Sequence, residues 1–186
     1  MPSPVSVDHG EADIDVGAWL AVYKAGTPGT AAGHNTTSFL LDDVPQPDVY
    51  LRILPEFGGT SWVEDKYLHG IPELLTEVSR SSASYDLHLK LDLYEAAKIP
   101  EYLVVLLFEQ EIRWHVLVGD RYEHMTPDAD GLWRSRIFPG LWLDGKALQS
   151  GDLGQVLARL QEGLQSPEHQ RFVAELMGRK AAGDHR

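Results

Sequence analysis

A chain of 186 residues with no cysteine and a formal net charge of −12 at pH 7 can bury a single core but cannot build a disulfide framework or a thiolate metal site. That acidity excludes a broad nucleic-acid-binding surface, since such surfaces neutralise phosphates with basic side chains, and any DNA contact must be local. The opening MPSPVSVDHGEADIDV lacks a basic start followed by an apolar stretch, and no run approaches ~18 apolar residues, so a cytoplasmic protein without a membrane segment is expected.

Val16, Trp19, Leu20 and Tyr23 form an amphipathic stripe, closed by Gly26, Thr27, Pro28 and Gly29, which predicts a helix from about Glu11 to Ala25. Thr36 to Leu41 and Asp48 to Ile53 read as strands. In the second, Val49, Leu51 and Ile53 alternate with Asp48, Tyr50 and Arg52, the period of a half-buried strand. Pro55 to Gly70 reads as loop, with Gly58 and Gly59 early in it. PELLTEV then gives a short strand ending at Glu77, followed by a turn rich in serine (Ser79, Ser81, Ser82, Ser84). In SYDLHLKLDLYEAAK, Leu87, Leu91 and Tyr94 recur as one helical face, with Lys90 beside it. Tyr102 to Phe108 is continuously apolar, the pattern of a central strand, and Ile112, Trp114, Val116 and Val118 form its hairpin partner. LWRSRIFPGLWLD is expected to end the sheet. Leu153 to Leu164 and Pro167 to Met177 read as helices, with Ser166 capping the latter. The order predicts one mixed α/β domain over residues 1–180, with 181–186 a frayed tail.

Three polar residues fall where ordered, partly buried elements are expected: Asp48 at the head of its strand, Glu77 at the end of the next, and Lys90 on the following helix. Two carboxylates and an ammonium from neighbouring elements are suited to hold a divalent cation against a phosphate. Each alone also fits a plain structural role. Asp48 after Pro47 can shape a turn, Glu77 can cap the serine-rich turn, and Lys90 stands four residues after Asp86 at ion-pair spacing. His9 and Glu11 read as a solvated helix start, with a position near a metal as the second reading. Glu73 shares strand parity with Glu77 and is expected at the mouth of the same cleft, and Trp114, Trp133 and Trp142 as core or interface anchors.

PQPDVYLRILPEFGG, GIPELLTEVSRSSASYDLHLKLDLYEAAKIPEYLVV and DGLWRSRIFPGLWLD, spaced and in this order, resemble the bacterial Uma-two family of restriction-endonuclease-like proteins in the PD-(D/E)XK nuclease superfamily. The resemblance implies a restriction-endonuclease-like α/β fold, a central mixed sheet flanked by helices, and magnesium-dependent cleavage of DNA, with manganese able to substitute. It makes Asp48, Glu77 and Lys90 the catalytic set, with Asp48, Glu77 and the Val78 carbonyl as metal ligands. In the wider superfamily the lysine follows the acid by two residues, a position held here by Ser79; in this family it comes from the next helix, where Lys90 stands. A homodimer is the expected assembly, because two sites related by a two-fold axis cut both strands of a duplex most simply. The alternative reading is a catalytically silent nuclease-like domain acting through protein partners, which the acidic balance favours.

Overall fold

The computed structural model describes residues 6–81 and 85–183. Helix α1 (Val7–Gly26) buries the expected stripe of Val16, Trp19, Leu20 and Tyr23, which at helical spacing covers one face of the sheet. Strand β1 (Thr30–His34) leads through the short β2 (Ser38–Phe39) to β3 (Val49–Ile53). The stretch read as loop holds a 3-10 turn (Pro55–Phe57) and two strands, β4 (Thr60–Glu64) and β5 (Tyr67–Ile71). Next come β6 (Leu74–Ser79), α2 (Tyr85–Ala96), β7 (Glu101–Leu106), β8 (Glu111–Val118) and β9 (Arg121–Met125). A hairpin of β10 (Leu132–Arg134) and β11 (Trp142–Asp144) precedes α3 (Gly145–Gln149), α4 (Leu153–Leu164) and α5 (Pro167–Gly183). Ala181 to Gly183, expected as tail, are therefore helical; residues 184–186, with Ser82 and Ser84 of the serine-rich turn, lie outside the described residues.

The main sheet has the order β1-β3-β6-β7-β8-β9. It is mixed: β6 and β7 run parallel with α2 as their crossover, and the other pairs are antiparallel. All six residues of β7 are buried, as its unbroken apolar run requires of a strand covered on both faces. On one face α1, α4 and α5 close over Leu51, Leu74, Val78, Leu103 and Val105; on the other, Leu87 and Tyr94 of α2 close over Leu75, Tyr102, Val104 and Leu106. LWRSRIFPGLWLD does not end this sheet. It forms the separate β10–β11 ribbon, because Pro139 and Gly140 fold it back on itself. Strands β2, β5 and β4 make a second, three-stranded sheet.

One buried acid fixes the end of the main sheet remote from Asp48. Glu101 is fully buried; its Oε1 accepts N–H groups from Arg136 (2.6 Å) and Ile137 (3.2 Å), and Oε2 accepts the Ser135 hydroxyl at 2.7 Å. Burial pushes its carboxyl up to about 7 against these donors. Glu101→Ala strands the turn's donors, and should cost on the order of 3 kcal/mol, a fall in melting temperature of roughly 6–12 °C. Thermal denaturation followed by circular dichroism checks this, and an unchanged midpoint would show that other contacts hold the turn.

Candidate active site

Strands β3 and β6 pair antiparallel with Val49 opposite Thr76, and one further step of that register sets Asp48 beside Glu77. The ladder does not continue there. Instead the Asp48 carboxylate takes over the strand's role, Oδ2 accepting the Val78 N–H at 2.7 Å. Parity places Glu77 with Leu75 on the face covered by α2, and the helix answers with Lys90 and, four residues on, Tyr94. The Lys90 ammonium donates to Glu77 Oε2 at 2.8 Å, and the Tyr94 hydroxyl donates to Oε1 at 3.1 Å. Lys90 also reaches the Gln46 carbonyl at 3.5 Å, which ties α2 to the segment entering β3. The structure thus gathers Asp48, Glu77, Val78 and Lys90 at one end of the sheet. The Asp86 side chain, whose spacing suggested an ion pair with Lys90, lies outside the described residues.

Electrostatics follow from this packing. Glu77 is 5% exposed, and burial pushes its carboxyl up to about 8; Lys90 pulls it down and the neighbouring Asp48 pushes it up further. Asp48 is raised as well, first by burial and also by Asp13, against the Val78 N–H, Lys90 and His9, which all lower it.

His9 and Asp13 come from α1, one helical turn apart and therefore on one face. Asp13 Oδ2 meets His34 Nε2 at 2.7 Å, while the Asn35 amide donates to His34 Nδ1 at 2.7 Å, which leaves the imidazole proton on Nε2, donated to Asp13. Asn35 N–H in turn donates to the Asp48 carbonyl at 2.8 Å, so the end of β1 carries Asp13 to Asp48. Among the described residues, Asp13 Oδ1 and His9 Nδ1 are buried polar atoms without a hydrogen-bond partner. Sequence reasoning named His9 but paired it with Glu11, which lines a different, acidic hollow with Asp8 and Asp15. The missed signal was the four-residue spacing of His9 and Asp13. Glu73 is not at the mouth of this cleft. It sits at the other end of β3, where its carboxylate accepts the Ile53 N–H at 2.7 Å.

Among the described residues no group of three or more His, Asp or Glu side chains stands ready to enclose a metal ion, and no helix is long and apolar enough to cross a membrane. A family profile described as "Uma2: Putative restriction endonuclease" matches residues 1–146. A crystal structure of "a putative nuclease belonging to DUF820" from Anabaena variabilis ATCC 29413 is similar in fold, with a TM-score of 0.59 and 14% sequence identity over 81% of this chain and 84% of that one. That likeness identifies the architecture as a restriction-endonuclease-like α/β fold with a mixed central sheet flanked by helices. No curated protein matches the chain.

Proposed function

The chain belongs to the Uma2 family of nucleases of the restriction-endonuclease type, and from that premise we propose that it hydrolyses phosphodiester bonds in DNA with a divalent cation at Asp48 and Glu77. The observation that carries the reading is the convergence, at one sheet end, of a Glu77 paired with Lys90 and an Asp48 whose carboxylate accepts the N–H of the next residue, Val78.

The donors suit a hard cation. Magnesium is commonly held by one or two carboxylates with water and substrate phosphate, so an enclosing set of three is not needed. Asp48 and Glu77 would hold magnesium or manganese with the Val78 carbonyl, which points toward β3 because the N–H of the same strand residue does. The buried, unpartnered Asp13 Oδ1 near Asp48 is a further oxygen able to bind a water of that shell. When bound, the cation polarises the phosphoryl oxygen and acidifies an attacking water.

The chain's own groups do the rest. Tyr94 holds Glu77 Oε1 and so fixes the carboxylate's orientation. Lys90 presents its Nζ beside Glu77, where it can donate to a non-bridging phosphate oxygen as negative charge grows there. Its tie to Gln46 keeps it directed at the β3 entrance.

Cytoplasmic DNA as substrate, contacts confined to the site's surroundings, and a homodimer that brings two such sites to a duplex complete the proposal. The silent-domain alternative draws on one observation: both Glu77 oxygens already have protein partners. A nicking assay on supercoiled plasmid with magnesium or manganese separates the two. Wild type should convert the plasmid and Asp48→Asn should not; equal rates would leave the silent domain as the better reading.

A further inference from the structure

Two imidazoles face each other at the β9 edge of the main sheet. The β8–β9 register sets His115 directly opposite His124, and their ring centroids stand 4.3 Å apart with the planes inclined at 45°. Side chains directly opposite on an antiparallel pair are close enough to act on one ligand. Two imidazoles bound to one zinc ion through ~2.1 Å bonds have their centroids about 5 Å apart, so a small turn of the outer ring brings this pair to that geometry.

The inner ring is held ready. His115 is 7% exposed and packs against Tyr102, stacked at 5.8 Å and 20°, and against Tyr122 at 5.6 Å and 47°. Tyr122 is itself fixed, since its hydroxyl donates to the Ile99 carbonyl at 2.9 Å and its N–H to the Glu95 carboxylate at 2.7 Å. His124 is exposed, so its ring can turn. The ring nitrogens of His34 and His169 are all engaged, whereas among the described residues neither His115 nor His124 has a side-chain hydrogen bond.

The chemistry on offer is neutral imidazole. Burial, with His124 and Arg113 adding to it, pushes the His115 imidazole down to about 4, so at neutral pH it presents a lone pair rather than a charge. Arg113 does not turn the place into an anion site, because its guanidinium is closed on Glu111 through bonds of 3.0 and 2.9 Å. Neutral imidazole is the ligand of zinc, copper and nickel, while magnesium takes oxygen.

Both rings line a pocket of about 100 Å³ between α2 and the sheet, with Leu87 and His88 on the helix side and Tyr102 on the sheet side. Tyr102 is fully buried, and its hydroxyl has no hydrogen-bond partner among the described residues, a costly state for a polar group. Water on a metal ion held by the pair is a strong donor, and a phenol oxygen can accept from it. Ring packing alone accounts for the position of His115 but leaves that hydroxyl unsatisfied.

We propose that His115 and His124 form a site for a divalent transition metal of the zinc and copper class, separate from the hard-cation site at Asp48 and Glu77, with water in the remaining positions. Two imidazoles do not enclose an ion, so the site is open to the pocket. A metal bound there ties the edge strand β9 to β8 through side chains as well as backbone.

The test titrates zinc into untagged protein by calorimetry, with magnesium in excess to occupy the carboxylates. Wild type should take up about one zinc ion per chain. His124→Gln, at an exposed position, and His115→Phe, which keeps a ring in the stack, should each weaken uptake by at least about tenfold, while Asp48→Asn should leave it unchanged. Zinc should raise the melting temperature of wild type and not of His124→Gln. With copper(II) as the probe, electron paramagnetic resonance of wild type should show coupling to two imidazole nitrogens, reduced in His124→Gln. Equal zinc affinity in wild type and His124→Gln overturns the proposal, as does no uptake by wild type. Uptake lost in Asp48→Asn but kept in His124→Gln also overturns it, and would put the ion at the carboxylates instead.

Discussion

Glu77→Gln is expected to lower plasmid cleavage by about a hundredfold to a thousandfold while shifting stability by no more than about 1 kcal/mol. The amide keeps the shape of the side chain and one acceptor, so Lys90 or Tyr94 retains a partner in a pocket that is already closed. It cannot carry the negative charge that a cation and its water require. Lys90→Met should lower cleavage comparably and leave a second signature. Lys90 is the largest influence holding the Glu77 carboxyl down, so its loss moves Glu77 further up, and the pH profile of residual cleavage should shift to higher pH. Initial rates across pH 6 to 10 for wild type and both variants read this. A Lys90→Met profile that keeps the wild-type midpoint would show that Glu77 ionisation does not govern the rate.

The second large effect is linkage between protons, cation and stability. Glu77 sits near 8 in the folded chain and near 4.5 when exposed, so the folded state binds its proton more tightly. The resulting stabilisation is complete below about pH 4.5, declines as pH rises, and is gone above about 8. A divalent cation binds only the ionised carboxylate, so its effect has the opposite trend. Magnesium or manganese should raise the melting temperature little at pH 6 and by several degrees at pH 8.5, with apparent affinity rising roughly tenfold per pH unit below about 8. The paired substitution Asp48→Ala, Glu77→Ala should remove both the response to cation and most of the pH dependence attributable to this site. An equal melting shift in wild type and the double variant would sink the metal assignment.

How far the sequence anticipated this molecule depended on where each element buries its side chains. The stripe of α1, the alternation of β3 and the apolar run of β7 were legible because each faces a core, so hydrophobic period and structure coincide. Strand β1, TAAGH, is built of small and polar residues and has no such period; it is held by pairing with β3. Strands β4 and β5 were read as loop because Gly58, Gly59 and Gly70 flank them and their rings point outward, a pattern that resembles neither a core strand nor a polar turn. The same gap hid part of the candidate site. Asp48, Glu77 and Lys90 could be named from elements that were legible. Asp13 could not, because what brings it to Asp48 is His34 on the unforeseen β1, and Tyr94 was counted only as part of a core face.

The bond from Val78 N–H to the Asp48 carboxylate replaces what would otherwise be a carbonyl rung between β3 and β6. A backbone carbonyl is the same acceptor at every pH and in every ionic environment; a carboxylate is not. The last rung between these strands is therefore sensitive to proton and cation activity, and the place where the two strands part is set by solution chemistry as well as by the chain. The Glu73 carboxylate on the Ile53 N–H fastens the other end of β3 in the same way, so both ends of this strand answer to solution chemistry, and occupancy of the proposed cation site would be transmitted to strand pairing without any moving lid.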